Sequence, residues 1–289
     1  MSAPLVSVLT PSFNQGRWLA DNLHSVACQT YERIEHIVMD GGSTDESLEL
    51  LSAAGDSVTW RSEPDEGQAH ALNKAFELAQ GEIIGWINSD DAYFTPRVIE
   101  QVVEYFAAHP DVDVACGHCA QTTADGRIIQ VLWTPAEPAE LLTAVNTLSQ
   151  PATFVRRRVI DDVLLDQSLH FTMDYDLWLR LHFAGARFGR LSRILAIDRH
   201  QPARKSSTIL DVHKADLATL AARYDTRLGP QWKSLRSRYY VWQRIAGAAQ
   251  IPRIRPPFAF AAPDDLTRGL LARQVFIRKS KWPAEMRGL

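Results

Sequence analysis

The chain has 289 residues, of which 46% are hydrophobic and 22% charged, with a net charge of −3; one large α/β domain with an appendage, or two domains, are both open, and a sizeable core is available. No apolar run approaches the roughly 18–20 residues of a membrane span, and the opening MSAPLVSVLT lacks a basic segment followed by a long apolar one, so a cytoplasmic location is expected. The charge is split: residues 226–289 carry thirteen Lys or Arg against three acids, or +10, which leaves −13 on residues 1–225.

Leu5 to Thr10 is a short β-branched run ended by Pro11, and it predicts a buried strand that stops at a loop. Residues 17–29 follow with apolar positions near helical spacing, and Ile34–Asp40 is a second strand. After the Gly41-Gly42 turn, Ser43 and Glu46 have the spacing of a capping box, predicting a helix from residue 43. Val58–Arg61 predicts a third strand, 67–80 a helix and Glu82–Ile87 a fourth strand. This alternation implies a mostly parallel sheet, in which ligands sit beyond the carboxyl ends of the strands. That rule selects Thr10-Pro11-Ser12-Phe13-Asn14, Asp40-Gly41-Gly42 and Asn88-Ser89-Asp90-Asp91. Further on, 97–108 reads as a helix, and Val112–Gly117 and Ile128–Trp133 as strands joined through Asp125-Gly126. Residues 137–147 read as a helix or loop, 173–184 as a helix stopped by Gly185, 186–199 as a strand and 210–224 as a helix.

The first strand is followed by TPSFNQGRW, with one glycine, so a dinucleotide cradle is excluded, and no Walker loop exists elsewhere. A phosphate bound at these strand ends then needs another countercharge, and a divalent cation on carboxylates is the plain alternative. Asp90 and Asp91 are the candidates: two carboxylates about 4 Å apart repel by roughly 4 kcal/mol at an effective dielectric near 20, which a cation, hydrogen-bond donors or a shifted pKa relieves. A turn in which Asp91 caps a helix is the structural alternative.

Five segments in order, VSVLTPSFNQ, HIVMDGGSTDES, SEPDEGQAHALNKAFELAQGEIIGWINSDDAYFTP, MDYDLWLRL and RHQPARKSS, resemble the family 2 glycosyltransferases of bacterial surface-polysaccharide type. The resemblance covers roughly residues 5–210 and implies a GT-A fold. That fold is α/β, a Rossmann-like and mostly parallel sheet flanked by helices, here with a helical basic C-terminal extension. It divides the chain into a domain at 1–210, with a nucleotide-binding half at 1–96 and an acceptor half at 97–210, and an extension at 211–289. The implied activity is inverting transfer from a nucleoside-diphosphate sugar, a UDP-sugar first, to a hydroxyl of a saccharide or lipid-linked saccharide. Nucleic acid is not an expected partner.

By this resemblance Thr10, Pro11 and Phe13 line the base pocket, and Asp40 accepts from the base or ribose. Gly67 and Asn73 lie in the segment beside the ribose and phosphates. Asn88, Ser89 and Asp90 form a DxD-like motif with an amide in place of its first acid. Asp90 or Asp91 holds Mn2+ or Mg2+, the Arg199-His200 pair reaches back to the diphosphate or metal, and His200 is a further candidate ligand. Asp174 is the general base and Trp178 the floor of the acceptor site, with a helix cap and a core residue as their structural alternatives. Arg204 to Ser207 reads as a loop closing over the donor. Basic residues interleaved with Trp232, Tyr239, Tyr240 and Trp242 suit an anionic membrane surface on its inner face, or a solvated helical face.

Two competing readings remain. Cys116-Gly117-His118-Cys119 spells a disulfide-exchange motif, but a reactive pair needs its first thiolate at a helix start and here a strand leads in, so the three cysteines are expected to be free thiols. A sugar-nucleotide-binding protein without turnover is the second, prompted by Asn88.

Overall fold

The computed structural model describes residues 3–139, 141–160, 165–201, 210–224 and 237–243. The expected closing loop at 204–207, and all of the basic extension at 226–289 except 237–243, lie outside the described residues. The first half runs β1 (Val6–Ser12), α1 (Gly16–Ala27), β2 (Ile34–Asp40), α2 (Ser47–Ala53), β3 (Thr59–Ser62), α3 (Gln68–Leu78) and β4 (Ile83–Trp86). The second adds β5 (Ala92–Tyr93), α4 (Val98–Ala108), β6 (Val114–Thr123), β7 (Ile128–Leu132), β8 (Thr153–Arg156), α5 (Met173–Phe183), β9 (Phe188–His200) and α6 (Leu210–Arg223).

All of these strands join one sheet in the order β3-β2-β1-β4-β8-β6-β9-β5, with β7 paired to β6. β3, β2, β1 and β4 are mutually parallel, as helical crossovers require. The expected mostly parallel sheet needs correcting beyond them: β8 is antiparallel to both β4 and β6, β7 to β6, and β5 to β9, so the sheet is mixed. Part of the reason is local, since β6 and β7 are joined by a turn closed by Gly126 N–H on the Thr123 carbonyl, and a tight turn can only make an antiparallel pair. β8 itself had no sequence reading. Its four residues follow Pro151 and are too short to show a period.

The two faces of the sheet carry separate cores. Leu9, Ile37 and Met39 pack with Leu72 of α3 and Leu177 and Leu181 of α5 on one face. Val6, Val8 and Ile83 pack with Val102 and Phe106 of α4 on the other. Cys116 belongs to the first core and Cys119 to the second, so the two thiols point to opposite faces of one sheet. Both are fully buried, and burial pushes the Cys116 thiol up to about 12. Neither feature suits thiol exchange.

The helix expected from residue 43 begins at Ser47 instead, with no side-chain cap. Ser43 and the nearby Asp45 are engaged in joining two loops. The Ser43 hydroxyl accepts from Asn14 N–H (2.7 Å), and Asp45 accepts from Gly16 N–H (2.9 Å) and Ser47 N–H (3.1 Å). Together they lock the loop after β1 to the loop after β2.

Candidate active site

Because β1, β2 and β4 are adjacent and parallel, their carboxyl ends share one edge of the sheet. Gly41 N–H donates to the Ser12 carbonyl at 2.8 Å, which brings the first two ends together. A side chain at position 41 would meet the Asp65 carboxylate at 2.7 Å and the Phe13 ring at 3.3 Å, so those two groups converge over Gly41. Phe13 is 58% exposed, an unusual state for a ring of that size and one that leaves a flat face open at this edge. Asp65 opens the segment that the resemblance sets beside the ribose and phosphates, although as one acid among several in SEPDEG it carries no separate role in the sequence.

Thr10 and Asp40 are placed differently from the base-pocket expectation. Thr10 is fully buried, with its hydroxyl 3.0 Å from His36 Nε2, and burial pushes that imidazole down to about 3. Pro11 is also buried within β1. Asp40 is 1% exposed, and its carboxylate accepts from Gly42 N–H, Ser43 N–H, the Ser43 hydroxyl and the Ser62 hydroxyl. These four donors explain the buried charge and make Asp40 the staple of the DGGS loop. Gly67, at φ +111°, precedes α3 and donates to Asp65 at 2.7 Å. The Asn73 amide both donates to the Leu165 carbonyl and accepts from Leu165 N–H, each at 3.0 Å, so it anchors a backbone segment.

At the end of β4 the side chains form a dense network. Asn88 Oδ1 accepts from Gln68 Nε2 (2.7 Å) and Trp86 Nε1 (2.9 Å), while its Nδ2 donates to Asp91 Oδ2 (3.2 Å) and Gln150 Oε1 (3.1 Å). Asp91 is 4% exposed and also accepts from Arg199 N–H at 3.1 Å. Ser89 is buried beside it. Asp90 is the less buried acid of the two, and its Oδ2 accepts from Gln201 Nε2 at 3.2 Å.

Arg199 is 1% exposed, paired with Asp21 at 2.8 Å, bonded to the Asp90 carbonyl at 3.0 Å and stacked 4.6 Å over Trp18. In this arrangement the guanidinium braces the Asp90-Asp91 loop from beneath, and its Nη1 is buried without a hydrogen-bond partner among the described residues. His200, the next residue on β9, points to the other face by strand alternation. Its ring lies 3.9 Å from Asp198 and is exposed. Among the described residues no three His, Cys, Asp or Glu side chains are grouped to hold a metal ion, so the expected set of Asp90, Asp91 and His200 does not assemble there.

Asp174 sits in the first turn of α5, half-buried, with Asn146 Nδ2 3.3 Å from its Oδ2. Burial pushes its carboxyl up to about 6, opposed by the Tyr175 backbone N–H and the Asn146 amide. Asp176, two residues on, is fully buried and accepts from Arg180, Arg223 and Tyr224, tying α5 to α6. Trp178 is 2% exposed and packs in the core, so its ring offers no open face to an acceptor. Asn146 and Gln150, both missed in the sequence, link the two centres. Asn146 holds Asp174 and also accepts from Leu148 N–H at 3.2 Å, while Gln150 bonds Asn88 and the Trp86 carbonyl. Antiparallel pairing of β8 with β4 delivers this segment to the end of β4, an arrangement with no local sequence signal.

The site and fold define an α/β protein with acidic side chains gathered at the carboxyl ends of parallel strands. A sequence model of glycosyl transferase family 2 matches residues 7–171, and the chain belongs to that family. It is 43% identical over 105 residues to the "Uncharacterized glycosyltransferase Rv1514c" of Mycobacterium tuberculosis, covering 36% of this chain and 40% of that relative's length. To the "PGL/p-HBAD biosynthesis glycosyltransferase" of Mycobacterium bovis BCG it is 24% identical over 233 residues, 79% of this chain and 89% of the relative. Two solved structures share the fold. S. aureus TarS in complex with UDP-GlcNAc superposes with a TM-score of 0.62 at 17% identity, covering 87% of this chain and 76% of that one. Mannosyltransferase PcManGT of Pyrobaculum calidifontis, in complex with GDP-Man and Mn2+, gives 0.61 at 18% identity, covering 92% and 78%.

Proposed function

We propose that this chain is an inverting glycosyltransferase, moving a sugar from a nucleoside-diphosphate sugar to a hydroxyl of a saccharide or lipid-linked acceptor. The observation that carries this reading is the 146–150 segment, which holds Asp174 at one end and the Asn88 network at the other. It sets a carboxyl with a raised pKa beside the strand ends where a donor binds. The donor base stacks on the open Phe13 ring, and Asp65 accepts from a base or ribose donor, the part first expected of Asp40. UDP-sugars are the first donors to test.

A divalent cation, Mn2+ or Mg2+, fits this donor set with Asp90 as its protein ligand, because Asp91 already accepts two hydrogen bonds inside the protein. Such ions are commonly held by one or two carboxylates and completed by substrate phosphates. When bound, the cation supplies positive charge against the negative charge that builds on the departing diphosphate. In the reaction the acceptor oxygen attacks the anomeric carbon from the face opposite the leaving group. The bond from that carbon to the phosphate oxygen breaks, its electron pair leaves with the nucleoside diphosphate, and the acceptor proton passes to Asp174. A carboxylate with its pKa near 6 is ionised at neutral pH yet basic enough to take that proton.

The short helical stretch at 237–243 exposes Tyr240, Val241 and Trp242, with relative exposures of 50%, 57% and 36%, in the middle of the basic extension. Peripheral contact with an anionic membrane carrying the acceptor follows from that pairing of rings and charge. No helix among the described residues is long and apolar enough to cross a membrane. Exchanging Arg227, Lys233 and Arg236 for Gln should reduce sedimentation with anionic liposomes; unchanged sedimentation counts against the contact. The donor assignment is tested by thermal shift with nucleotide sugars and Mn2+, where stabilisation that needs both ligands is expected and none with any nucleotide sugar would sink it.

A further inference from the structure

The geometry around position 88 gives the amide a task an acid cannot do. The Asn88 side chain uses four hydrogen bonds, two accepted and two donated, and its backbone carbonyl accepts from Asn22 Nδ2 and Asp91 N–H, each at 2.9 Å. Its partners come from α1, α3, β4, the Asp90-Asp91 loop and the segment before β8. Each acceptor it donates to is itself fixed elsewhere: Asp91 by Arg199 N–H, and Gln150 by donating to the Trp86 carbonyl. A carboxylate would keep the bonds from Gln68 and Trp86, but it has no hydrogen to give. It would turn two bonds into contacts between acceptors, one of them between two negative charges.

We propose that Asn88 is a positioning residue, whose amide draws Asp91 inward and thereby presents Asp90 to the cleft, so that an aspartate at this place weakens the site it would seem to strengthen. This rests on the reading of the Asp90 loop as the donor and cation site. The amide also links that loop through Gln150 to the segment holding Asp174. One side chain thus fixes the loop bearing the cation ligand relative to the strand end bearing the base's support.

The test compares Asn88→Asp and Asn88→Ala with wild type, in the full chain. Melting temperature without ligand, and binding of UDP with and without Mn2+, are measured for each. Asn88→Asp should melt below Asn88→Ala and bind UDP with Mn2+ at least about tenfold more weakly than wild type. Asn88→Asp binding UDP with Mn2+ as tightly as wild type, or melting at or above Asn88→Ala, overturns the assignment. Should wild type itself bind no nucleotide, the donor reading fails while the melting comparison still decides the role of Asn88.

Discussion

Two regions of the molecule each carry a pair of neighbouring acids, and they treat them alike in one respect and oppositely in another. At the end of β4, Asp91 is buried and bonded to Asn88 and Arg199, while Asp90 is left nearer the surface. On α5, Asp176 is buried and bonded to Arg180, Arg223 and Tyr224, while Asp174 faces the segment at Asn146. In both, one acid is buried and bonded into the fold while its neighbour is less buried, and the proposed mechanism gives the chemistry to that neighbour. The difference lies in what surrounds that neighbour. The Asp90 carboxylate accepts from Gln201 at 3.2 Å in a loop whose backbone carbonyls accept from Asn22 and Arg199, whereas Asp174 is desolvated, which raises its pKa to about 6 against the Tyr175 N–H and the Asn146 amide. In the proposed mechanism a carboxylate nearer the surface suits a cation, and a desolvated one suits an acid that takes up a proton.

Exchanging the acids one at a time should separate these roles. Asp174→Asn is expected to lower the transfer rate by about 10²–10⁴-fold with donor affinity unchanged, measured by product formation and calorimetry. Transfer at the wild-type rate would remove Asp174 as base. Asp176→Ala leaves Arg180 without its carboxylate and Arg223 with Asp166 alone, and should cost about 2–4 kcal/mol in denaturant unfolding. A smaller effect than that of Asp90→Ala on stability would break the comparison. Asp91→Ala removes the acceptor for Asn88 and Arg199 N–H and should cost about 1–3 kcal/mol, while Asp90→Ala leaves the melting temperature close to wild type.

The pH dependence follows from the sign of the Asp174 shift. Its folded pKa is raised, so the charged base is lost as pH falls through about 6, and kcat/KM should drop about tenfold per unit below that point. Stability runs the other way. A raised carboxyl pKa contributes stability that is present at low pH and lost as pH rises through about 6, so Asp174→Asn should melt a few degrees above wild type at about pH 8 and level with it at about pH 4. Equal melting at both pH values would show that Asp174 is not desolvated as described.

Much of the first half was legible in the sequence because local signals and global structure agree there. Alternating runs gave β1 to β4 and their helices, and the three strand ends they selected do share one edge of the sheet. The second half was less so. β8 has four residues and the pairing that makes it antiparallel is nonlocal, so nothing nearby announced that Asn146 and Gln150 would stand between the two acidic centres. Residue type also failed to separate ligand from scaffold. Asp40, Asn73 and Arg199 read as ligands, and in the structure each also bonds within the protein, to partners 2 to 178 positions away, while Arg199 Nη1 is buried without a hydrogen-bond partner among the described residues. Trp178 lies on a helix face turned to the core, the alternative its sequence position also allowed, and His200 is exposed on a strand whose alternation turns neighbours to opposite faces.

Calorimetry of UDP binding in the presence and absence of Mn2+, on wild type, Asp90→Ala and Asp174→Asn, tests the division of labour between the two regions most directly. The account predicts Mn2+-dependent binding that Asp90→Ala loses by at least about tenfold and Asp174→Asn retains. Binding by Asp90→Ala that stays as tight and as dependent on Mn2+ as in wild type would contradict it.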